Sequence, residues 1–237
     1  MSGLPMSWPA SSLTLAIDGS TPGPSVAVVR GDDVVAETTA PPEPRRGRRL
    51  MAMVHGVMGD AGARPDDLGG VVVGVGPGGF TGLRIAMATA GGIAQGLGVP
   101  VIGASSLEAI ALGIRRAAPD AEFLAPATDA RRGEVFAAVY RPHADGGITA
   151  LHEPTAMTPD VFAATLAEIG GSGAGAGTGY AAYRQELAPA VREAGAACPA
   201  ASDLVARVRA GGGCPAYPLY LRLPDAEENR RRAAGEG

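Results

Sequence analysis

The 237-residue sequence predicts an α/β fold made of two halves that repeat one order of elements. Each half opens with three short apolar segments, and a helix, a strand and a second helix follow them. Sequence identity between the halves is negligible. What repeats is therefore the order of elements, βββαβα, and not the residues themselves.

The first half begins with three predicted strands. Leu13–Ile17 is a short apolar run, and Val26–Arg30 and Val34–Thr38 flank Gly31-Asp32, a pair of residues typical of a hairpin turn. Residues 1–11, which precede these strands, are predicted to be a flexible extension.

A helix is predicted after the proline-rich segment, because apolar residues recur at positions i, i+3, i+4, i+7 and i+8. The residues in that pattern are Leu50, Met53, Val54, Val57 and Met58. Val71–Val75 is predicted to be a core strand, and a glycine-rich turn connects it to a second helix over Gly82–Leu97. Thr81 is the predicted N-cap of that helix. Val99–Gly103 completes the half as another strand.

Ser105 and Glu108 have the spacing of a capping box, which opens a helix to about Ala117. From Phe123 onwards the order of elements starts again. Further strands and helices are predicted by apolar runs, by a Thr-Pro helix start and by a capping serine. They cover Phe123–Thr128, Val135–Tyr140, Ile148–His152, a helix to Ile169, a weak strand in Gly170–Gly179, a helix near Tyr183–Ala194, a helix from Ser202 to Arg209 and an extended Tyr217–Leu223.

Two βββαβα halves that face each other form the actin-like (ASKHA) architecture, which is related to ribonuclease H and binds nucleotide in the cleft between its halves. We assign residues 12–104 to the first half, 105–223 to the second and 224–237 to a disordered tail. In this architecture the turn after the first strand of each half approaches phosphate. Here those turns are Asp18–Ser25 and Asp129–Gly133.

Composition excludes several chemistries. All 20 basic residues are arginine, so there is no lysine to bind a β/γ-phosphate, to form a Schiff base or to act as a general base. The net charge of −4 makes the chain a poor nucleic-acid binder by itself. No apolar run reaches the length of a membrane span, and no secretion signal is evident, so we expect a cytoplasmic protein with no membrane partner.

The most conspicuous motif is the glycine-rich turn. Gly74–Gly79 satisfies G-x-G-x-x-G, but the next acidic residue is Glu108, too far along to bind the ribose of a dinucleotide. The lysine position of a phosphate-binding P-loop is occupied by Phe80. Two interpretations remain, an anion site at the helix N-terminus with Arg84 in its first turn, or a tight turn that binds no ligand.

Metal and nucleophile motifs are missing from the sequence. The three histidines, His55, His143 and His152, do not have the spacing of metal ligands. Gly103–Leu107 lacks the closing glycine of a nucleophile elbow. Cys198 and Cys214 are each followed by proline and have no metal-like spacing. We therefore expect no catalytic residues and no metal site.

One segment resembles a known family. Gly76–Ile85, followed by Ala88-Thr89-Ala90, is similar to the signature of the TsaB (YeaZ) family, whose members take part in installing threonylcarbamoyl on adenosine 37 of tRNA. Four further stretches support the resemblance, which extends over about residues 13–226. They are Leu15–Thr21 with Ser25–Val28, Ser105–Ala109, Asp129–Val135 and Pro218–Arg222.

The resemblance implies a non-catalytic subunit that dimerises and activates an enzyme. Its partners would be a TsaD-like catalytic subunit and a TsaE-like ATPase, with tRNA reached through the complex and a homodimer when the chain is alone. It implies no cofactor of the chain's own, and places ATP or ADP with Mg²⁺ at the partner interface.

The resemblance also supplies candidate residues. Those near nucleotide or a partner are Asp18, Ser20, Thr21, Gly76, Gly78, Phe80, Thr81, Arg84, Asp129 and Glu134. Those of the dimer interface are Leu50, Met53, Val54, Val57, Met58, Leu83 and Met87. Ordinary core packing is the alternative interpretation of these seven, since every amphipathic helix buries one face.

The chain departs from the family pattern at two places. Arg46–Leu50 stands where the family has a His-Ser-x-x-Leu-like helix start, and Gly177–Gly179 stands where it has Gly-Asp-Gly. Arg45, Arg46, Arg48 and Arg49 form a cluster that either contacts tRNA or an acidic partner, or is a solvated helix start.

Two other functions remain open at this point. One is a stand-alone ATP-dependent phosphotransferase of the same superfold, in which Asp18 would orient a metal or act as a base. The other is a metal-dependent glycopeptidase, as TsaD-like relatives with an H-x-x-x-H helix were once named.

Overall fold

Residues 5–41 and 49–222 are described by a computed structural model. The strands within these ranges are β1 (Leu13–Asp18), β2 (Ser25–Arg30), β3 (Asp33–Thr39), β4 (Leu68–Gly76), β5 (Val101–Ser105), β6 (Phe123–Arg131), β7 (Glu134–Pro142), β8 (Ile148–Met157), β9 (Gly173–Ala176) and β10 (Arg192–Glu193). The α-helices there are α1 (Leu50–Asp60), α2 (Phe80–Leu97), α3 (Ser106–Ala117), α4 (Pro159–Ile169), α5 (Thr178–Ala182), α6 (Arg184–Leu187) and α7 (Ala201–Arg207).

Two five-stranded sheets have the same topology. The first sheet has the order β3-β2-β1-β4-β5, and the second, taken from its opposite edge, has the equivalent order β8-β7-β6-β9-β10. The central strands β1 and β6 each pair antiparallel with the strand that follows and parallel with the fourth strand of their half. The predicted α/β fold with duplicated, actin-like halves is confirmed.

The first sheet is covered on both faces, and the alternation of side chains along its strands explains how. On β1, Leu15 and Ile17 face α1 and α2, whereas Ala16 faces α7. All six residues of β1 are buried. A central strand buried on both faces needs a continuous apolar run, and this is the pattern found in the sequence.

The helix that follows the last strand of each sheet packs on the other sheet. Helix α3 buries Leu107, Ile110 and Ile114 against the second sheet, while α7 buries Leu204 and Val205 against the first. Two ion pairs join these helices, Arg116 to Asp203 and Arg207 to Glu108, the latter at 2.8 Å. These contacts connect the two halves, and the predicted boundaries at 12–104 and 105–223 remain predictions.

Two helix predictions in the second half are wrong. The segment predicted as one helix over 183–194 contains the short helix α6 and the short strand β10. Residues 188–191, between them, belong to no helix or strand. Helix α7 has Ala200 as its N-cap, and Ser202 instead donates from its amide and its hydroxyl to the Glu37 carboxylate. Within the described residues, 217–222 form no strand.

The N-terminal prediction also needs correction. Trp8 is buried against the first sheet and donates from its indole nitrogen to the Thr14 hydroxyl at 2.8 Å, so it belongs to the core and not to a loose extension. Residues 1–4, the tail 224–237 and the arginines 45, 46 and 48 lie outside the described residues. Among the helices of the described part of the chain, none is long and apolar enough to cross a membrane.

Candidate functional site: the cleft between the halves

The turn after β1 is organised around a buried carboxylate. Asp18 is fully buried; Ser20 donates to its Oδ1 from the amide at 2.8 Å and from the hydroxyl at 2.6 Å. The Ser106 hydroxyl donates to Oδ2 at 2.6 Å and accepts from the Gly76 amide at 3.2 Å. Burial raises the pKa of Asp18, and these hydrogen bonds partly oppose the rise. Asp18 therefore ties β1, β4 and α3 together.

The glycine-rich turn before α2 packs tightly on that first turn. The Gly79 amide donates to the Ser20 carbonyl at 2.8 Å, and a Cβ at Gly78 would collide with the same carbonyl. A Cβ at Gly19 would lie 2.6 Å from the Gly82 carbonyl. These glycines allow two backbone segments to touch, which explains the motif without a ligand.

Helix α2 begins two residues earlier than predicted. Its N-cap is Gly79 and its first residue is Phe80, so the prediction of Thr81 as N-cap is wrong. The Gly79 amide is bonded to the Ser20 carbonyl, and Thr81 lies exposed in the first turn of the helix.

The corresponding turn of the second half contains Asp129 and is built differently. The Asp129 carboxylate accepts from the Arg131 amide at 2.8 Å and pairs with the Arg131 guanidinium at 3.1 Å. The Asp129 amide donates to the Thr178 hydroxyl at 3.0 Å. Arg131, Arg132 and Gly133 all have positive φ, so the hairpin turns sharply. Its carboxylate is thus already neutralised by a neighbouring arginine.

A C-terminal strap, residues 219–222, crosses the cleft between these turns. The Leu219 amide donates to the Val75 carbonyl at 2.8 Å, and the Tyr220 ring lies 5.2 Å from the Phe80 ring. Arg222 donates to the Glu134 carboxylate at 2.7 Å and to the Ala130 carbonyl at 3.0 Å. The strap therefore contacts both halves.

The cavity left beside the strap has a volume of about 490 Å³. Of the predicted residues, six line it: Ser20, Thr21, Gly78, Phe80, Thr81 and Asp129. Glu134 and Arg84 reach it through Arg222 and Tyr220, whereas Asp18 and Gly76 are buried behind it. The structure therefore brings residues of both predicted phosphate turns to one cleft.

The residues present do not fit a nucleoside triphosphate with its magnesium ion. Asp18 is enclosed by serine donors and does not face the cavity, so it does not orient a metal there. Asp129 is paired with Arg131, and Tyr220 lies over Phe80 at the start of α2. Within residues 5–41 and 49–222, no group of three or more His, Cys, Asp or Glu side chains is arranged to hold a metal ion.

The predicted dimer-interface residues divide into two groups. Three of them, Leu50, Val57 and Leu83, are at most 2% exposed and are buried inside the first half, so they do not form a partner surface. Val54 and Met58 are 7% and 8% exposed and line a groove on the outer surface of α1 and α2, so their place at an interface stays a prediction. Each helix uses its regular apolar face to cover the sheet. Met53 and Met87 are only partly buried and remain candidates.

The outer surface of α1 and α2 nevertheless has a groove of about 620 Å³. Met51, 55% exposed, and Ile93 line it. Gly92 and Gly96 face open space on α2, since an added Cβ would meet no atom within 4 Å. These glycines have no packing role within the chain itself.

Sequence reasoning missed the partners that decide how the cleft works. The sequence analysis assigns no role to Ser106, which lies inside the family-like stretch Ser105–Ala109, yet it bonds Asp18 from 88 residues away. Tyr220 and Arg222 were noticed only as part of a family-like stretch. Such long-range pairs leave no periodic signal in a single sequence; Pro218–Arg222, close to the end of the chain, was the available hint.

The fold and the cleft define the chain as an actin-like protein with two ribonuclease H-like halves. The model of the family described as "TsaD: tRNA N6-adenosine threonylcarbamoyltransferase" matches residues 44–158. An uncharacterized protein of Mycobacterium tuberculosis is 38% identical over 219 residues, covering 91% of this chain and 94% of that protein.

Two further comparisons concern named proteins. The tRNA threonylcarbamoyladenosine biosynthesis protein TsaB of Escherichia coli is 31% identical over 218 residues, covering 88% of this chain and 94% of TsaB. The structure of YeaZ from Pseudomonas aeruginosa superimposes with a TM-score of 0.71 at 27% identity, covering 89% of this chain and all of YeaZ. The chain belongs to the TsaB (YeaZ) family.

Proposed function

We propose that this chain acts in the biosynthesis of threonylcarbamoyladenosine in tRNA, as a non-catalytic subunit that activates a TsaD-like transferase modifying adenosine 37. The observation that carries this proposal is the 31% identity to Escherichia coli TsaB over 94% of that protein. The architecture of the cleft supports the non-catalytic role, because its two aspartates are already engaged by serines and by an arginine.

The outer surface of α1 and α2 is our proposed docking face for the partner. Glycine in a helix costs about 1 kcal/mol relative to alanine. Gly92 and Gly96 therefore destabilise α2, and no close packing within the chain requires them. Missing side chains allow a partner helix to approach closely, and the adjacent Met51 offers an adaptable apolar contact. The same face would serve a homodimer when the chain is alone.

The remaining parts of the proposal concern the assembled complex. A TsaE-like ATPase joins the pair, and tRNA is contacted through the complex. ATP or ADP with Mg²⁺ binds at the interface with the partner, since the chain's own cleft does not fit them. Modification takes place in the cytoplasm, where tRNA is processed.

The test is reconstitution of tRNA modification with the organism's TsaD-like and TsaE-like proteins, with and without this chain. We expect the chain alone to transfer nothing to tRNA, and the activity of the mixture to collapse when the chain is left out. Full activity of the partners without it would contradict the proposed role.

The docking face is tested by Gly96→Arg. Its new side chain projects into open space in the isolated chain, so we expect the thermal stability to stay within about 1 kcal/mol of the parent. Complex formation, measured by size-exclusion chromatography, should fall at least about tenfold because an arginine would separate the two surfaces. Ala167→Arg, on the exposed face of α4 in the second half, is the matched control and should leave complex formation unchanged. Equal behaviour of the two variants would contradict the docking face.

A further inference from the structure

The C-terminal strap reaches the cleft along a fixed path. At its root, Gly103 of β5 and Cys214 exchange two backbone hydrogen bonds at 2.8 and 2.9 Å. At its start, the Leu219 amide bonds the Val75 carbonyl near the end of β4. The strap is therefore held to the first sheet before it enters the cleft.

Tyr220 forms the first anchor, on the wall belonging to the first half. Its ring lies 5.2 Å from the Phe80 ring, and its hydroxyl accepts a hydrogen bond from Arg84 Nε at 3.0 Å. The Arg84 guanidinium lies 3.9 Å from the centre of the Phe80 ring, so three side chains form one stack. Phe80, at the position where a P-loop would have lysine, thus packs against Tyr220 of the same chain.

Arg222 forms the second anchor, on the wall belonging to the second half. One guanidinium nitrogen donates to the Glu134 carboxylate at 2.7 Å and the other donates to the Ala130 carbonyl at 3.0 Å. The side chains of Arg222 and Glu134 are only 20% and 31% exposed, so solvent screens this pair less than a surface pair. Both acceptors belong to the β6–β7 hairpin that holds Asp129.

We propose that the C-terminal strap is a brace: it occupies the cleft from within the chain and holds the two halves together at its mouth. Only one residue, Leu221, separates the two anchors along the chain, so loss of either anchor frees the strap and with it the other wall. The α3–α7 ion pairs also connect the halves, and the strap supplies a further connection at the cleft. This inference does not depend on the proposed function, since it concerns the chain alone.

Hydrogen–deuterium exchange of the isolated full-length chain tests the brace. Tyr220→Ala should speed amide exchange about tenfold not only in residues 80–84 but also in residues 128–135, which belong to the other half. Arg222→Ala should likewise speed amide exchange in residues 128–135, which its side chain contacts, and also in residues 80–84 of the other half. Tyr217→Ala is the matched control: Tyr217 is 77% exposed in the same segment, and its removal should change neither wall.

The result that would overturn the brace is loosening confined to the wall whose anchor was removed. Helix α4, remote from the cleft, reports on folding and should keep its protection in every variant. If an alanine variant loses protection in α4 too, Tyr220→Phe and Arg222→Lys replace it, since they keep the ring and the charge while removing the Arg84 bond and the paired guanidinium contacts. Faster amide exchange in both walls of these variants supports the brace. Faster exchange in one wall alone, or in neither, rejects it.

Discussion

Asp18 and Asp129 occupy equivalent places in the two halves, yet their surroundings are opposite. Each lies near the end of the first strand of its half, before the hairpin to the second strand. Asp18 is fully buried and bound only by neutral donors from Ser20 and Ser106. Asp129 lines the cleft and is paired with Arg131.

The two halves therefore keep an aspartate at equivalent positions but give it different structural roles. In the first half, the aspartate has become part of the core, where it joins three elements. In the second half, it remains at the surface of the cleft and orders a sharp hairpin. The same residue type therefore contributes to stability at one site and to local surface geometry at the other.

The largest expected difference between the two turns comes from removing the carboxylates. Asp18→Ala leaves two hydroxyls and an amide without their acceptor in a dry interior, and we expect it to lower the free energy of unfolding by about 3 kcal/mol. Asp129→Ala loses an ion pair with Arg131, whose side chain is 69% exposed, and should cost less than about 1 kcal/mol. Urea denaturation of both variants measures this, and equal costs would contradict the contrast.

A smaller difference is expected when a methyl group is added at Gly78, which packs on the Asp18 turn, and at Gly133 in the Asp129 turn. Gly78→Ala forces Cβ against the Ser20 carbonyl, a backbone atom that cannot move aside easily, and should destabilise by about 2 kcal/mol. Gly133→Ala meets no atom within 4 Å and costs only the strain of φ +80°, about 1 kcal/mol. Thermal denaturation compares the two; a larger loss at Gly133 would show that packing is not what distinguishes the turns.

The smallest effect concerns pH. Burial raises the pKa of Asp18 above its usual 3.8, so its proton is held more tightly in the folded state than in the unfolded state. Its contribution to stability is full below the unfolded pKa and is lost as pH rises through the raised folded pKa. From about pH 7 down to about pH 4.5, wild type should therefore gain stability relative to Asp18→Asn, which has no such proton to bind. A constant difference between the two in urea denaturation would show that the carboxyl is not buried as described.

Much of the fold could be predicted because its signals are local. The β-branched run at Val71–Val75, the helical periodicity from Leu50 and the capping pair Ser105 and Glu108 all lie within segments of the chain that form single elements. The prediction was poorer at 183–194, where tertiary contacts, and no local pattern, decide that a short strand forms beside β9.

The sequence predicts where the candidate site lies, but not which of its carboxylates is buried and which faces the cleft. The glycine-rich turn and Asp129 do line the cleft, as predicted, because equivalent strand ends of facing halves converge there, whereas Asp18 is buried behind it. Whether a carboxylate faces solvent or core depends on what packs over it. Ser106 and Arg131 decided that for Asp18 and Asp129 respectively.

The α/β class, the duplicated order of elements and the family signature could be read from the sequence, and its lack of lysine excluded a P-loop. The folded structure was needed to show that Leu50 and Val57 of α1 are core residues and that the C-terminal strap spans the cleft. The physical reason is distance along the chain. Periodicity and capping act between neighbours, whereas the contacts between Tyr220 and Phe80 or between Arg222 and Glu134 exist only after both halves have folded.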